Sequence, residues 1–431
     1  MPDRIMPMTA FSFSSSYSHP IYPIMKRLFA SILFTCCLPT AFLSAATPIL
    51  LKNSHAVQPG IEKVEVVQRY SVKKRLTSLL DDELFDHSQV ALYVYDLTDN
   101  ELLFAHNEKQ RMRPASTEKI VTAVAALYHL GADYQFSTDL YVQELGGGKA
   151  RVWIRGGYDP LFDASDLEAM VQQLKRLGVK SIDGAVRLDV SMKDSKQWGW
   201  GWCWDDDEVP LTPLLYCNKD EFVSRLTTVL NSSGLAWNGF TKLEKVPADV
   251  VCVCRRSHPI DGVLHPMMKD SDNSMAESLF YQLAAASKQD GAGRKQAVRR
   301  IHTVVEATGL NPDDYQFADG SGLSLYNYLS AELLGRLLAF AYRNPDIYDP
   351  LLRSLPIAGT DGTLRRRMQQ TEAAGNVRAK TGSVEGVSSL AGYCTAPNGH
   401  TLCFSILNQG VSRLSMGRRF QDKVCEVLCT E

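Results

Sequence analysis

The chain is organised around the stretch Pro114-Ala115-Ser116-Thr117-Glu118-Lys119, which is followed by an apolar run from Ile120 to Leu130 and then by Gly131. The run is apolar on nearly every side, so it predicts a helix that begins near Pro114, ends at Gly131 and is buried all round. We therefore expect this helix to form the centre of a hydrophobic core.

Ser116 and Lys119 make the start of this helix a candidate reaction centre. Ser116 falls in the predicted first turn, where free N–H groups and the helix dipole favour a developing oxyanion. Residues three apart share a helix face, so Lys119 lies within reach of the Ser116 hydroxyl. A neutral lysine can take the proton of a serine, and burial or a nearby cation lowers a lysine pKa. Taken alone, the S-x-x-K spacing is also explained by a serine cap followed by a solvated lysine.

The composition is that of an ordinary globular protein. The chain has 431 residues, of which 45% are apolar and 22% are charged. This length accommodates two or three domains. The net charge of −2 contains no basic excess, so we predict no nucleic-acid partner.

Residues 1–46 are predicted to be a leader and signal peptide. Met25-Lys26-Arg27 precedes an apolar segment that ends in the small residues Ser44, Ala45 and Ala46, an order typical of secretory signals. We expect translation to start at Met25 and cleavage to follow Ala46 or Ala45, with an uncleaved anchor as the alternative. The mature protein would then be exported to the periplasm or cell envelope.

Eight cysteines would remain after cleavage, too few for a disulfide scaffold in a chain of this length. An oxidising compartment would still permit individual bridges. The Cys252-x-Cys254 pair has no second pair at zinc spacing, so we predict no metal site.

Strand patterns at both ends of the chain indicate one α/β domain. Alternating apolar residues predict a strand from Val90 to Tyr95 and a returning strand at Leu102 to Phe104. Asn398-Gly399 is a hairpin signal between strand-like runs at 387–393 and 402–407. Since helical patterns fill the middle, we expect a sheet that joins the N-terminal and C-terminal parts.

Residues 144–237 are interpreted as a smaller inserted α/β domain, which divides the main domain into 58–143 and 238–431. A capping-box pattern, Ser165-Asp166-Leu167-Glu168, predicts a helix start within the insertion. Four tryptophans alternate after its last predicted strand. We favour packing between the two domains for them over a sugar-stacking platform. They are Trp198, Trp200, Trp202 and Trp204.

The C-terminal hairpin also suggests a disulfide. Cys394 and Cys403 are equidistant from Asn398-Gly399, so a two-residue turn would place them opposite each other as a non-hydrogen-bonded pair. Such a pair has close Cα atoms, which permits a disulfide in an exported protein.

Two further motifs support the S-x-x-K interpretation. Ser271-Asp272-Asn273 precedes a predicted helix over 273–285, and Lys380-Thr381-Gly382-Ser383 precedes the hairpin. Each alone is explained by a helix cap or a turn at a strand edge. In the order S-x-x-K, S-D-N, K-T-G, the three match the signature of penicillin-binding proteins and class A β-lactamases.

With these motifs, the sequence from about Val90 to Gln409 resembles the class C low-molecular-mass penicillin-binding proteins, the D-alanyl-D-alanine carboxypeptidase/endopeptidase group. The resemblance implies an α/β catalytic domain of the penicillin-binding and serine β-lactamase type, with a five-stranded antiparallel sheet flanked by helices. The family often nests two domains between the first two motifs, whereas the 155 residues from Ser116 to Ser271 leave room for one. Further stretches carry the resemblance: Gly157-Tyr158-Asp159-Pro160, Gly201-Trp202-Cys203-Trp204-Asp205-Asp206 and Asp319-Gly320-Ser321-Gly322-Leu323-Ser324.

The resemblance implies a role for each candidate catalytic residue. Ser116 would be the acylated nucleophile and Lys119 its base. Ser271 would relay a proton to the leaving amine, and Asn273 would hold Lys119 and the substrate amide. Lys380 would keep the site cationic and so favour a neutral Lys119.

The resemblance also implies how substrate is bound. Thr381, Gly382 and Ser383 would bind the substrate, with the two hydroxyls on its terminal carboxylate, and the N–H groups of Ser116 and Ser383 would form the oxyanion hole. The expected partners are peptidoglycan peptides and β-lactam antibiotics, without metal or organic cofactor. The oligomeric state stays open.

Two other functions use the same fold. A β-lactamase or esterase would share the motifs, but class A β-lactamases add a glutamate that activates water, and the sequence assigns none here. A catalytically silent wall-binding protein is disfavoured because all three motifs are intact. We therefore predict a serine D-Ala-D-Ala carboxypeptidase/endopeptidase.

Overall fold

The structure is a computed structural model that describes residues 71–206 and 208–430. The predicted leader, residues 1–46, lies outside the described residues. Within the described residues, no helix has the length and apolar character of a membrane span.

Strands and helices are interspersed up to residue 259, helices fill residues 260–354, and three strands and a last helix follow. The strands are β1 (Gln89–Asp96), β2 (Glu101–His106), β3 (Gln135–Gly146), β4 (Lys149–Arg155), β5 (Ser181–Ile182), β6 (Val186–Asp189), β7 (Thr241–Leu243), β8 (Val251–Pro259), β9 (Arg378–Val384), β10 (Val387–Thr395) and β11 (Thr401–Gln409). The helices are α1 (Leu84–His87), α2 (Glu118–Leu130), α3 (Ala164–Arg176), α4 (Phe222–Ser233), α5 (Ile260–Lys269), α6 (Asn273–Ala285), α7 (Arg294–Ala307), α8 (Ala331–Tyr342), α9 (Pro345–Ser354) and α10 (Leu414–Cys429). Residues 71–78 are also helical, and single 3₁₀ turns occupy Leu79–Asp81, Ala115–Thr117, Pro312–Asp314 and Gly362–Leu364.

A five-stranded antiparallel sheet joins the two ends of the chain, as predicted. Its strand order is β2-β1-β11-β10-β9, and Gln89 in β1 lies opposite Gln409 in β11. Side chains alternate between two cores: Ala91 and Tyr93 face the core that contains α2 and α8, whereas Leu92 faces the core that contains α10. Helices on both faces of this sheet confirm the predicted α/β catalytic fold.

The central helix is α2. A 3₁₀ turn at Ala115–Thr117 leads into it, and every residue from Glu118 to Leu127 is buried. It ends at Gly131, whose φ of 86° is a conformation that glycine adopts without strain. The predicted end at Gly131 is confirmed, and so is all-round burial for residues 118–127, whereas Tyr128 in the last turn is 45% exposed.

A second sheet accounts for the insertion. Its order is β7-β6-β4-β3-β8, with β5 beside β4, and its strands lie within residues 135–259. Helices α3 and α4 pack on this sheet and share an apolar core with it, through residues such as Met170 and Leu226. The predicted bounds of the inserted domain, 144–237, fall within the span of this sheet and stay a prediction.

The start of α3 differs from the predicted capping box. Asp163 is the N-cap, and its Oδ1 accepts hydrogen bonds from the N–H groups of Ser165 and Asp166 at 2.8 and 3.3 Å. Asp166 Oδ2 accepts the N–H of Asp163 in return, at 2.9 Å. The box therefore lies two residues before the predicted Ser165–Glu168 pair, because an aspartate caps as well as a serine does.

The register of the C-terminal hairpin also differs from the prediction. Cys394 lies opposite Leu402, and Cys403 lies opposite Tyr393. The N–H of Ala396 donates to the carbonyl oxygen of His400, so the loop has three residues, 397–399, rather than two. One additional loop residue shifts the pairing by one position and turns the side chains of one strand to the other face.

The predicted Cys394–Cys403 disulfide is therefore wrong. Cys394 lies in the core under α10, where its thiol forms a hydrogen bond with Cys429. Cys403 lies on the opposite face, where its Sγ contacts the carbonyl oxygen of Gly335 at 3.5 Å.

The four tryptophans do not share one environment. Trp202 packs against the main core, and its Nε1 donates to Asp319 Oδ2 at 2.8 Å. The other three are exposed: Trp198 by 55%, Trp200 by 45% and Trp204 by 97%. The predicted packing role is correct for Trp202 and wrong for Trp204, whose ring lies in solvent.

Candidate active site

The first two motifs meet at the N-terminal end of α2. Lys119 is buried there, and its Nζ lies 3.0 Å from Ser116 Oγ and 2.6 Å from Asn273 Oδ1. A third contact, at 2.8 Å, is with the carbonyl oxygen of Ser321. The serine predicted as nucleophile and the lysine predicted as base are thus in direct contact.

These three contacts accommodate both forms of Lys119: the ammonium donates to all three oxygens, and the neutral amine donates to two of them. The oxygens of Asn273 and Ser321 are carbonyl oxygens, which accept hydrogen bonds and cannot donate them. A neutral amine has two N–H groups and one lone pair. With both N–H groups donated to these carbonyl oxygens, the lone pair is left for the hydroxyl of Ser116, which can donate.

The third motif reaches the same place through Lys380. Its buried Nζ lies 2.9 Å from Ser271 Oγ and 2.8 Å from the carbonyl oxygen of Thr381. Asp272 is the N-cap of α6, since its side chain accepts the N–H of Met275. The helix-cap explanation of the second motif therefore applies to Asp272. The residues on either side of it contact the two lysines, Ser271 with Lys380 and Asn273 with Lys119.

Two residues of the site have unusual backbone conformations. Ala115, directly before the candidate nucleophile, has a φ of +47°, and Ser271 has a φ of +66°. Residues other than glycine rarely occupy this region, and such strain persists where the surrounding structure holds it. An atom in the Cβ position of Gly322 would lie 1.9 Å from the carbonyl oxygen of Ala115. The loop that contains Gly322 therefore packs directly on the turn that precedes α2.

Strand β9 lies against the same turn. A Cβ atom on Gly382 would lie 2.7 Å from the carbonyl oxygen of Pro114 and 3.0 Å from the nitrogen of Ser116, so a larger residue would push the strand away. Thr381 is half-buried with its Oγ1 2.8 Å from Thr363 Oγ1, and Ser383 is exposed. The structure therefore brings all eight predicted site residues into one region.

The loop over Asp319–Ser324 is a part of the site whose role the sequence did not reveal. It supplies the carbonyl oxygen of Ser321 that holds Lys119. Glu277 fixes the loop, because its Oε1 accepts the N–H groups of Gly320 and Ser321 at 3.0 and 2.9 Å. The sequence signal was the loop's resemblance to a family stretch, which gave no indication of this contact.

Burial governs the charges in the site. It lowers the pKa of Lys119 to about 8, despite opposing carboxylates that include Asp319 and Glu277. Burial also lowers the pKa of Lys380 well below its usual range, and the nearby charge of Lys119 lowers it further. The pKa of Glu277 is raised to about 8, first by burial and then by Asp319, and burial raises the pKa of Glu118.

Glu208 is another part of the site that the sequence did not indicate. Its Oε1 accepts a hydrogen bond from Asn273 Nδ2 at 2.5 Å, and its side chain is half-buried. Burial raises its pKa, while the Asn273 contact and the charge of Lys119 act in the opposite direction. No motif surrounds this residue in the sequence, so only the folded chain reveals the contact.

The described residues contain two groups that could hold a metal ion, and neither includes any of the eight predicted site residues. One is Asp96, Asp99 and His400, and the other is Cys203, Asp205 and Asp206. The Cys252-x-Cys254 pair is in neither group. The eight predicted site residues supply amines, hydroxyls, an amide and backbone groups, which suit acyl transfer.

The sequence of the chain also matches a known protein family. A model of the D-Ala-D-Ala carboxypeptidase 3 (S13) family aligns with residues 72–214 and 218–428, which is most of the chain. The chain belongs to this family. It is a serine-type D-Ala-D-Ala carboxypeptidase, as the sequence predicted.

Individual relatives of this carboxypeptidase cover most of the chain. The D-alanyl-D-alanine carboxypeptidase of Actinomadura sp. (strain R39) is 26% identical over 85% of this chain and 86% of its own. The D-alanyl-D-alanine carboxypeptidase DacB of Haemophilus influenzae is 25% identical over 77% of this chain and 88% of its own.

A solved structure confirms the fold of the carboxypeptidase. The structure of penicillin binding protein 4 (DacB) from Haemophilus influenzae superposes with a TM-score of 0.74 and 23% identity, over 82% of this chain and 99% of that one. At this identity the similarity establishes the fold, which is the predicted penicillin-binding type.

Proposed function

We propose that this carboxypeptidase cleaves D-Ala-D-Ala peptides through an acyl-enzyme on Ser116, with Lys119 as the base. The observation that carries the proposal is the position of Lys119 Nζ, 3.0 Å from Ser116 Oγ, with two carbonyl oxygens as its other partners. Neutral Lys119 removes the hydroxyl proton as Oγ attacks the carbonyl carbon of the scissile bond. The C–N bond then breaks and D-alanine leaves.

The other residues deliver the proton to the leaving group and stabilise the negative charge that develops on the carbonyl oxygen. Ser271 passes the proton to the leaving nitrogen, supported by its 2.9 Å contact with Lys380. Asn273 holds Lys119 with its oxygen and offers its NH₂ group to the substrate amide. The N–H groups of Ser116 and Ser383 receive the oxyanion, a contribution of about 3 kcal/mol to the barrier in known cases.

The hydroxyls of Thr381 and Ser383 bind the terminal carboxylate of the substrate, and Gly382 lies between them in the substrate-binding strand. Because burial lowers the pKa of Lys380, a positive charge there is costly in the free enzyme. An arriving carboxylate favours the charged form of this amine. Substrate binding and protonation of Lys380 are therefore coupled in this proposal.

The proposed partners are peptidoglycan peptides and β-lactams, and the proposed location is the periplasm or cell envelope. One structure of the Haemophilus influenzae protein contains a β-lactam, which supports β-lactam binding here. A Bdellovibrio bacteriovorus endopeptidase of 18% identity has been solved acylated by penicillin G. Its name supports testing cross-link cleavage in addition to carboxypeptidase activity.

Titration with penicillin tests the proposed function against the β-lactamase alternative. The opened β-lactam stays bonded to Ser116 and obstructs the approach of water, whereas D-alanine departs and clears it. We expect penicillin to inactivate the enzyme at one equivalent and to stop D-alanine release from a peptide that ends in D-Ala-D-Ala. Rapid, repeated hydrolysis of penicillin without release of D-alanine would favour the β-lactamase.

The pH dependence of acylation tests the role of Lys119. A lysine is neutral above its pKa, which burial lowers here to about 8. The rate constant for labelling by fluorescent penicillin should therefore rise about tenfold per pH unit between pH 6 and 7 and level off above about 8. Circular dichroism at each pH confirms that the protein stays folded. A rate constant that does not change from pH 6 to 9 would contradict a titrating lysine base.

A further inference from the structure

Glu208 reaches the candidate site from the long segment between β6 and α4. Its Oε1 contacts Asn273 Nδ2 at 2.5 Å, while the oxygen of the same amide contacts Lys119 at 2.6 Å. One planar amide group thus separates the carboxylate from the amine. Glu208 belongs neither to the helix of Ser116 nor to that of Asn273, so it is a separate component of the site.

We infer that Glu208 is the general base that activates water to hydrolyse the acyl-enzyme, an inference that rests on the proposed acylation of Ser116. Hydrolysis requires a base for a proton that acylation does not involve, that of the incoming water. Class A β-lactamases meet the same requirement with an additional glutamate.

The surroundings of Glu208 suit this task. The side chain is half-buried, so water has access to a carboxylate that is held in place by Asn273. Partial burial raises the pKa of Glu208, and a higher pKa makes the carboxylate a stronger base. Asn273 has two N–H donors, so its contact with Glu208 leaves the second one for substrate.

The proposed step balances as follows. The water oxygen attacks the acyl carbon and gives one proton to the Glu208 carboxylate. The tetrahedral intermediate collapses and its bond to Ser116 Oγ breaks. Glu208 releases its proton to solvent water, and Lys119, which takes up a proton from solvent, gives one to Oγ at 3.0 Å. The product acid leaves with the second proton of the water, and Glu208 is ionised again beside a neutral Lys119.

Glu208→Gln tests the inference, because glutamine keeps an oxygen for Asn273 but cannot act as the base. With a peptide ending in D-Ala-D-Ala, kcat should fall about 100-fold and KM should fall in parallel, so that kcat/KM changes less than about threefold. Intact-mass spectrometry of acid-quenched samples should show an accumulated acyl-enzyme. Hydroxylamine, a stronger nucleophile than water, should restore turnover of the acyl-enzyme.

Two controls separate this role from a structural one. Glu221→Gln makes the same change at a half-exposed glutamate that pairs with Arg225 on α4, and should leave all rate constants unchanged. The rate of penicillin labelling reports acylation in each variant and shows that the site is folded. A parallel loss of kcat and kcat/KM, slowed labelling or the lack of an accumulated acyl-enzyme would each overturn the inference.

Failure of the proposed function gives a different result. If Ser116 is not acylated, the wild-type protein will form no covalent adduct with penicillin. If the wild-type adduct forms and Glu208→Gln hydrolyses its peptidyl acyl-enzyme at the wild-type rate, only the role of Glu208 is disproved.

Discussion

Ser116→Ala is expected to abolish covalent labelling by penicillin and to reduce D-alanine release by at least about 10⁴-fold. The reason is that Lys119 Nζ, at 3.0 Å from Ser116 Oγ, would have no hydroxyl to deprotonate. Removing a single member of a nucleophile–base unit costs about as much as removing the whole unit. Gel fluorescence with labelled penicillin and an assay for free D-alanine measure the two effects.

The matched control is Ser232→Ala, which removes the hydroxyl of an exposed serine in α4. Its labelling and turnover should equal those of the wild-type protein. Thermal unfolding of both variants shows whether Ser116→Ala leaves the fold intact. Undiminished labelling of the Ser116→Ala variant would place the nucleophile elsewhere and remove the proposed mechanism.

Lys119→Arg is expected to be nearly inactive, with acylation slowed by at least about 10³-fold, although the positive charge is kept. A guanidinium does not give up a proton near neutral pH, so it cannot deprotonate Ser116. The planar fork also cannot reproduce the two carbonyl contacts of a compact amine. The rate constant for penicillin labelling is the measurement, because it reports acylation alone.

Lys380→Arg is the matched comparison, since Lys380 is also fully buried and a larger side chain is forced into the site in both variants. The proposal requires a positive charge at Lys380 when the substrate carboxylate is bound, and arginine supplies one. This variant should therefore be impaired less than Lys119→Arg. Activity of Lys119→Arg within about tenfold of wild type would show that Lys119 is not the base.

The sequence predicted those parts of the fold whose signals are local. The central helix followed from an apolar run ended by Gly131, and the sheet joining both ends followed from two hairpin patterns. The last helix, α10, begins at Leu414 in the structure. Its first turns carry few apolar residues, so the hydrophobic pattern appears only from Phe420.

Features that depend on one residue more or less in a turn were not predictable from the pattern. Asn398-Gly399 indicates a hairpin, but the two-residue and three-residue loops that contain it give opposite registers. The structure has the longer loop, with Gly399 at a φ of +85°. Cys394 and Cys403 consequently face different cores, although their spacing in the sequence is symmetrical about the turn.

The candidate site likewise has one part that local sequence patterns predict and another that they do not. Its eight predicted residues lie in motifs whose spacing reflects one helix turn, one helix start and one strand edge. Glu208 and the carbonyl oxygen of Ser321 reach Asn273 and Lys119 across 65 and 202 positions of sequence. No local pattern marks such contacts, because they depend on how a long segment and a loop pack on α2 and α6.

The strand order of the main sheet has a consequence for when the enzyme can become active. Strand β1 pairs with β11, and Gln89 and Gln409 are 320 positions apart. A β1–β2 hairpin alone is marginally stable in water, so the N-terminal strands must wait for the last strands before they gain a lasting partner. The sheet, and with it the site that β9 helps to form, is therefore complete only after nearly all of the chain is available to fold. Hydrolytic activity can then arise only once β11 is present.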